Sequence, residues 1–341
     1  MNSLKPFIIP VFLPQAGCPH QCVFCDQHAI TGVRKALPNI KSITETINNF
    51  LSYNQRKNPF IQISFYGGNF LGLPEKHMIA LLDCAQSFVD EKKVHSIRFS
   101  TRPDTVTGNR LQLLKNYAIK TIELGVQSMN DNVLYLSQRG HKSIDTCNAT
   151  KQLKSEGYQI GHQIMLGLPG ENEQDYAKSI NQVIKMKPDF VRLYPLLVLK
   201  SSLLADWYLS GRYKPLSLKL AVKMAKNSLI LFQSHNIQVI RIGLQAQDCL
   251  ENNILAGPFH PAFGHMVLSE YMLDRVTEQV QLSHSCHISI LVNPKLISRI
   301  TGMEQGNLQR LKSRFPQKHI QIIPDPGIMD FSIFEHKRRS L

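Results

Sequence analysis

Residues 7–25 read FIIPVFLPQAGCPHQCVFC, an apolar run followed by three cysteines within eight positions. The run Phe7–Leu13 is broken by Pro10 and stopped by Pro14, so it is too short for a membrane span and lacks the cleavage site of a signal peptide. Its aromatic and β-branched residues instead predict a buried β-strand. A cysteine-rich loop that directly follows the first strand is the feature from which the fold and the chemistry can be read.

Short β-rich runs alternate with longer amphipathic stretches over the first 250 residues. The strand candidates are Phe7–Leu13, Phe60–Phe65, Val94–Phe99, Lys120–Leu124, Gln159–Leu166 and Phe190–Pro195. Helical patterns follow them near residues 41–52, 74–91, 105–117, 130–155, 171–186 and 217–235. Six β-then-α units in series predict an α/β fold with a parallel sheet. Since a closed barrel has eight such units, an open, partial (β/α)6 barrel is expected, with its chemistry at the C-terminal ends of the strands.

The pattern changes near residue 250. Gly257-Pro258-Phe259-His260-Pro261 reads as a turn, and the stretch after it predicts a helix, a strand, a second helix and a second strand. Two domains are therefore expected, a barrel over residues 1–250 and a small C-terminal α+β accessory domain over residues 251–341.

Composition and cysteine usage narrow the class of protein. The chain has 341 residues, of which 43% are hydrophobic and 19% charged, as in an ordinary globular protein. Its seven cysteines are odd in number, and the four outside the first loop are scattered: Cys84, Cys147, Cys249 and Cys286. That pattern argues against a secreted disulfide framework and predicts a cytoplasmic protein.

The chain is basic, with a formal net charge of +14. Polyanions are the natural partners of such a protein, although a solvated surface explains the same charge. Most of the excess lies before residue 250, and Gly302-Met303-Glu304-Gln305-Gly306 resembles the backbone-clamping loop of a KH module. That loop is one residue longer than GxxG and carries an acid, so a domain that covers the mouth of the barrel is the preferred interpretation.

The three clustered cysteines predict a metal site. Closely spaced thiolates repel one another and oxidise unless a cation binds them. Zinc needs a fourth ligand, for which His20 and His28 are available, and zinc knuckles occur in RNA-binding modules. An iron–sulfur cubane usually takes four cysteines, so three would leave one iron open to a reactant. The position of the loop at the end of a barrel strand favours the cluster, and a non-catalytic, zinc-stabilised RNA-binding protein is the alternative.

The segment CPHQCVFC resembles the CxxxCxΦC signature of radical S-adenosylmethionine enzymes, with Phe24 as the aromatic residue. The resemblance implies that Cys18, Cys22 and Cys25 bind a [4Fe–4S] cluster and that Phe24 packs near the adenine of the cofactor. In that family S-adenosylmethionine chelates the fourth iron. One-electron reduction then cleaves it to methionine and a 5′-deoxyadenosyl radical, which abstracts a hydrogen atom from the substrate. The cofactor supplies the chemistry and the protein positions it.

Motifs at later strand ends extend the resemblance over roughly residues 7–250. Gly67-Gly68 is similar to a Gly-Gly-Glu motif whose backbone receives the methionine amine, and Asn69 stands where an acid is common. Gln127 and Arg139 resemble positions of the subgroup that contains oxygen-independent coproporphyrinogen oxidase and the catalytic subunit of Elongator. There the glutamine binds the cofactor and the arginine pairs with its carboxylate, for which a guanidinium fork is well suited.

Two polar residues complete the implied cofactor site. Ser100 matches a position that contacts the methionine or ribose moiety, and Gln163 stands where the family often has an acid that binds the ribose hydroxyls. No residue is identified from the sequence as a catalytic acid, base or radical relay. The chemistry also implies an electron donor such as a reduced flavodoxin or ferredoxin.

Several segments, including Gly67–Pro74 and Val239–Gln245, are more similar to the Elongator catalytic subunit than to porphyrin enzymes. That relative modifies the wobble uridine of tRNA, which makes tRNA or another RNA the expected substrate. Residues 251–341 contain no Gly-rich acetyl-CoA loop, so acetyl-dependent chemistry is not expected from them. Methylthiotransferases carry further cysteines upstream of the triad, and residues 1–17 contain none.

Overall fold

The computed structural model describes residues 6–13, 15–26, 38–54, 60–245 and 247–335. The strands are β1 Phe7–Phe12, β2 Ile61–Tyr66, β3 Ser96–Thr101, β4 Ile119–Gln127, β5 Gln159–Leu166, β6 Phe190–Pro195, β7 Val198–Leu199, β8 Gln238–Ile242, β9 Ile254–Ala256, β10 His287–Val292, β11 His319–Pro324 and β12 Phe331–Glu335. The α-helices are α1 Ile40–Ser52, α2 Glu75–Asp90, α3 Gly108–Leu114, α4 Asp131–Leu136, α5 Ser143–Ser155, α6 Glu173–Met186, α7 Leu203–Leu209, α8 Leu218–Ser234, α9 Asp248–Asn253, α10 Phe263–Leu282, α11 Ile297–Thr301 and α12 Gly306–Arg314. Within these ranges no helix is long and apolar enough to cross a membrane.

The chain divides into two compact units, and the first contains the sheet predicted from the β-then-α pattern. In the described part of the chain, seven strands pair in parallel in the order β1-β2-β3-β4-β5-β6-β8. The prediction of an α/β, partial barrel is therefore confirmed. The strand pattern had not included β8, which is short and only half-buried at the end of the sheet.

The two faces of this sheet differ in polarity. In β3 the side chains of Ile97 and Phe99 belong to the apolar core, where Phe99 stacks on Phe70 with ring centroids 4.5 Å apart. The intervening Ser96, Arg98 and Ser100 are buried too, but they form hydrogen bonds with side chains of β2, β4 and β5. Strands of a parallel sheet that is packed on both faces usually read as apolar runs. The polar face therefore marks the interior of the barrel as a place for binding rather than for packing.

The helical pattern predicted near residues 130–155 is divided between two helices in the structure. Helix α4 ends at Leu136, and α5 begins at Ser143. Gln138 and Gly140 between them have positive φ angles of 51° and 74°, which a continuous helix does not allow. The break turns Arg139 toward the end of the sheet.

The second unit comprises residues 218–231 and 260–341. Its sheet has the order β11-β10-β12, with β11 parallel and β12 antiparallel to β10. Helix α10 supplies Met272, Val276 and Val280 to a core that includes Ile290 of β10. In the loop between α11 and α12, Gly302 packs directly against Asn307, since a Cβ on Gly302 would lie 2.8 Å from the side chain of Asn307.

Candidate active site

A cavity of about 580 Å³ opens at the C-terminal ends of the barrel strands. Its volume is that of a small-molecule or cofactor pocket. Its walls include every residue for which the sequence predicted a cluster or cofactor role: Cys18, Cys22, Phe24, Cys25, Gly67, Gly68, Ser100, Gln127, Arg139 and Gln163. These residues come from six separate segments of the chain, and the parallel topology brings the segments together because all the strands end on the same side.

The cysteine loop is held by backbone contacts with the loop after β2. Gln15 N donates to the carbonyl oxygen of Gly67 at 2.9 Å, and Asn69 N donates to that of Ala16 at 2.8 Å. A Cβ on Gly68 would lie 2.5 Å from the carbonyl oxygen of Leu13. Only glycine therefore permits this approach of the two main chains, which places the Gly67-Gly68 pair against the loop that carries the cysteines.

The side chain of Asn69, which is fully buried, joins three loops. Its Nδ2 donates to the carbonyl oxygen of Gly17 at 2.9 Å. Its Oδ1 accepts hydrogen bonds from Thr101 Oγ1 at 2.7 Å and from the backbone N of Arg102 at 3.0 Å. An acid at this position could not donate to Gly17. The departure from the family's glutamate therefore has a structural reason in this chain.

The thiol groups of Cys18 and Cys25 lie where burial disfavours the thiolate. Burial, with a contribution from neighbouring Cys22 and Cys18, raises the pKa of Cys25 to about 12, and burial also raises the pKa of Cys18. These thiols would be protonated at neutral pH unless a cation bound them, as iron or zinc does.

A single zinc ion and an iron–sulfur cluster place different demands on the positions of the three cysteines. Among the described residues, no group of three or more His, Cys, Asp or Glu side chains is arranged to hold a metal ion. Zinc requires its ligands to converge on one point, whereas each cysteine of a cubane binds a different iron. His20, a possible fourth zinc ligand, packs against Gly140, where a Cβ would lie 2.2 Å from its ring. His28 lies outside the described residues.

Arg139 faces the cysteines with part of its hydrogen-bonding capacity unused. Its Nη1 lies 3.4 Å from Cys22 Sγ and its Nη2 donates to the carbonyl oxygen of Gly125 at 2.7 Å. The Nε of Arg139 and the Oε1 of Gln127 are buried and have no hydrogen-bond partner within the described structure. Gln127 also adopts a φ of 65° at an irregularity between β4 and β5. Unpaired buried polar atoms on a strained backbone are typical of a ligand site, and a cofactor with both donors and acceptors fits them.

Ser100 and Gln163 belong to a polar network around Glu123. Gln163 Nε2 donates to Ser100 Oγ at 3.2 Å and to Glu123 Oε2 at 3.0 Å, which leaves the carbonyl oxygen of its amide as an acceptor. Burial opposes the charge on Glu123, but Arg192 and Arg98 outweigh it and hold the pKa of this carboxyl below its ordinary value. Glu123 is therefore ionised and fixes the position of Gln163.

Sequence reasoning missed several cavity residues in the strands themselves. Tyr66, Arg192 and Tyr194 lie on β2 and β6, and Arg241 lies on β8. Arg192 and Tyr194 are two residues apart, so they share one face of the strand, and this alternation was the available signal. Phe24 lines the cavity and packs against the apolar cluster that contains Val23.

Known proteins share this architecture. The solved archaeal Elp3 of Methanocaldococcus infernus, with an N-terminal deletion, superposes with a TM-score of 0.62 over 81% of this chain and 63% of that one. Its sequence identity is 19%, so the likeness concerns the fold alone.

Curated relatives match in sequence as well. An uncharacterized protein of Methanocaldococcus jannaschii is 30% identical over 62% of this chain and 67% of its own length. The tRNA uridine(34) acetyltransferase of Dehalococcoides mccartyi is 25% identical over 61% of this chain and 52% of its own, so the chain spans about half of that enzyme. The Radical_SAM C-terminal domain family matches residues 188–273, and the Radical SAM superfamily matches residues 12–183. The chain thus belongs to the radical SAM superfamily of enzymes, as its cysteine motif predicted.

Proposed function

We propose that this protein is a radical S-adenosylmethionine enzyme that acts on tRNA or another RNA. Cys18, Cys22 and Cys25 would bind three irons of a [4Fe–4S] cluster, and S-adenosylmethionine would lie in the part of the cavity lined by the loop after β2. When bound, the reduced cluster supplies the electron that cleaves S-adenosylmethionine to a 5′-deoxyadenosyl radical for hydrogen abstraction. The observation that carries this proposal is the convergence of ten residues from six segments on one cavity.

The residues of the chain bind and orient the cofactor. The backbone of Gly67-Gly68 receives the methionine amine, and the free Nε of Arg139 donates to the carboxylate. Oε1 of Gln127 accepts from the cofactor, while Ser100 and Gln163 receive its ribose hydroxyls. Phe24 closes the adenine side of the cavity with an apolar surface.

The proposed substrate class depends on the relatives and on charge. The matched proteins include some that are named for tRNA modification or for the Elongator complex, such as the acetyltransferase of Dehalococcoides mccartyi and Elongator complex protein 3 of Saccharomyces cerevisiae. The net charge of +14 favours a polyanionic partner. A reduced flavodoxin or ferredoxin is the proposed electron donor, and the reducing conditions that it needs place the enzyme in the cytoplasm. Residues 251–341 are proposed to form an accessory domain.

The test uses full-length protein purified without oxygen. Iron, sulfide and zinc are assayed, and 5′-deoxyadenosine is then measured after addition of dithionite and S-adenosylmethionine. We expect about four irons per chain and formation of 5′-deoxyadenosine, because one cubane holds four irons. Both should be lost in Cys22→Ala and retained in Cys286→Ala, whose cysteine is exposed in the second unit.

A different metal content would support the alternative. One zinc per chain, no iron and no cleavage of S-adenosylmethionine would refute the radical enzyme and support a zinc-stabilised RNA-binding protein. Iron and cofactor cleavage without any change in bulk tRNA after incubation would retain the enzyme class and reject the RNA substrate.

A further inference from the structure

Two arginines stand side by side on the last two strands of the barrel sheet. Arg192 of β6 and Arg241 of β8 are direct register partners, so their side chains leave the sheet on the same face. Both line the cavity that contains the cysteine loop. Two guanidinium groups on one wall repel each other unless an anion lies between them.

Arg192 is held in place by a buried carboxylate. Its Nε lies 2.7 Å from Glu123 Oε2, and its Nη2 donates to the hydroxyl of Tyr66 at 3.2 Å. Glu123 is fully buried and also accepts from Arg98 Nε at 2.7 Å. One carboxylate therefore forms ion pairs with two guanidinium groups, and the Arg98–Glu123–Arg192 group has a net charge of +1. Arg192 is the member of this group that reaches the cavity.

Arg241 adds a second positive charge. Its Nε donates to the carbonyl oxygen of Gly243 at 3.1 Å, which orients the guanidinium without neutralising it. No ion pair joins Arg241 to a carboxylate within the described residues, and the side chain is only half-buried. Its donors are therefore available to a ligand.

The rest of the cavity does not compensate for this charge. No Asp or Glu is among the described residues that line it. Of the other two cavity arginines, Arg102 pairs with Asp104 at 2.9 Å, whereas Arg139 has no carboxylate partner among the described residues and is the residue proposed to bind the carboxylate of the cofactor. Apart from Arg139 beside the cysteine loop, the excess positive charge lies at Arg192 and Arg241, on strands at the opposite end of the sheet from β1.

We propose that Arg192 and Arg241 form an oxyanion-binding subsite that holds a phosphate or carboxylate group of the substrate in the cavity. That the bound anion belongs to the substrate is an inference that rests on the proposed function. Guanidinium groups recognise both oxyanions by paired hydrogen bonds, and the Glu123 network fixes one of the two in advance. By binding a charged group of the substrate, the subsite would orient the substrate so that the same atom always faces the cysteine loop.

Direct binding of small anions tests the subsite on the cluster-loaded, full-length protein. Inorganic phosphate and acetate are titrated separately by calorimetry, and uridine monophosphate is compared with uridine. We expect saturable binding of at least one anion, with phosphate or acetate identifying the preferred group. If phosphate is preferred, uridine monophosphate should bind at least tenfold more tightly than uridine. Arg241→Gln should weaken anion binding at least tenfold, and Arg241→Lys should retain part of it.

The matched control is Arg212→Gln, which removes the same charge from an exposed side chain outside the cavity and should bind anions like the wild type. Circular dichroism and thermal melting verify that each variant is folded. No saturable anion binding in the wild type, or equal losses in Arg241→Gln and Arg212→Gln, would overturn the subsite. Anion binding that depends on Arg241 in a protein without iron or cofactor cleavage would instead uphold the subsite and refute the proposed function.

Discussion

Asn69 shows how one buried amide can hold the cysteine loop in place. It donates to Gly17 on that loop and accepts from Thr101 and Arg102 at the end of β3. An amide can donate and accept at once, whereas a carboxylate can only accept. The position of the cysteines therefore depends on the amide nitrogen of a residue that touches neither metal nor cofactor in the proposed site.

Asn69→Asp should destabilise the protein by about 1–3 kcal/mol, because the carbonyl oxygen of Gly17 loses its donor and faces another oxygen inside the protein. The measurement is the free energy of unfolding in urea. Asn109→Asp, an identical change at an exposed site in the first turn of α3, is the control and should be neutral or slightly stabilising. Equal stability of the two variants would contradict the proposed role of the amide.

At the same scale, the sequence identified cavity residues where they stand beside glycine or cysteine, and their cofactor roles stay predictions. Gly67 and Gln127 were recognisable because binding residues collect at the ends of parallel strands, and Arg139, between α4 and α5, was recognisable from its resemblance to a family position. Arg192 and Arg241 were not, since both lie inside strands. An alternating pattern shows which side chains share a face, but it does not reveal that this face encloses a cavity.

Hydrogen bonds to the carboxyl group of Glu171 hold the junction between β5 and α6, and this carboxyl group has an unusual pKa. Glu171 accepts from the backbone N of Gly167 at 2.9 Å and of Leu168 at 3.3 Å, and its Oε1 lies 3.5 Å from Ser128 Oγ. Burial raises the pKa of Glu171 to about 7, and Asp175 adds to the rise. The folded state therefore favours the neutral acid, which is the reverse of a salt-bridged carboxylate.

This shift predicts that stability falls as the pH rises. Between the ordinary pKa of 4.5 and the raised pKa of about 7, the folded state holds a proton that the unfolded state has lost. The contribution of Glu171 is fully present below pH 4.5, is lost progressively up to about pH 7, and amounts to at most about 3 kcal/mol. Urea unfolding of wild type and Glu171→Gln from pH 4 to 8 measures it.

In Glu171→Gln the decline should be smaller, since the amide does not titrate. Glu45→Gln, a change at an exposed site on α1, should follow the wild type. Parallel pH profiles for the wild type and Glu171→Gln would show that the carboxyl titrates normally in the folded protein.

At the scale of elements, periodicity located the strands but did not show where a helix breaks. The stretch 130–155 has a helical pattern throughout, yet it is interrupted between α4 and α5 so that Arg139 can reach Cys22. Tertiary contacts at the site outweigh local propensity there. Strand β8 was missed because its half-exposed residues give a weak apolar signal.

At the scale of the whole molecule, positive charge occurs both on the wall of the cavity and over the chain in general. The described residues of the cavity wall include arginines but no Asp or Glu, and the chain as a whole has a net charge of +14. The cavity charge can select a group on a substrate, while the overall charge attracts a polyanion from a distance and is screened by salt. The two effects can be separated, because a short-range contact depends less on ionic strength.

Binding of tRNA should accordingly depend strongly on salt. With about four phosphate contacts, affinity should fall roughly 10²-fold between 50 and 200 mM salt, since each contact releases counterions. Fluorescence anisotropy of labelled, unmodified tRNA transcripts measures the slope, and Cys286→Ala serves as the neutral control for the protein. If the protein recognises tRNA, the transcript should also bind more tightly than heparin at matched charge and salt. No binding at 50 mM salt, or an affinity for heparin equal to that for tRNA, would mean that the net charge of +14 reflects solubility or nonspecific attraction, and the substrate would then have to be sought among smaller anions.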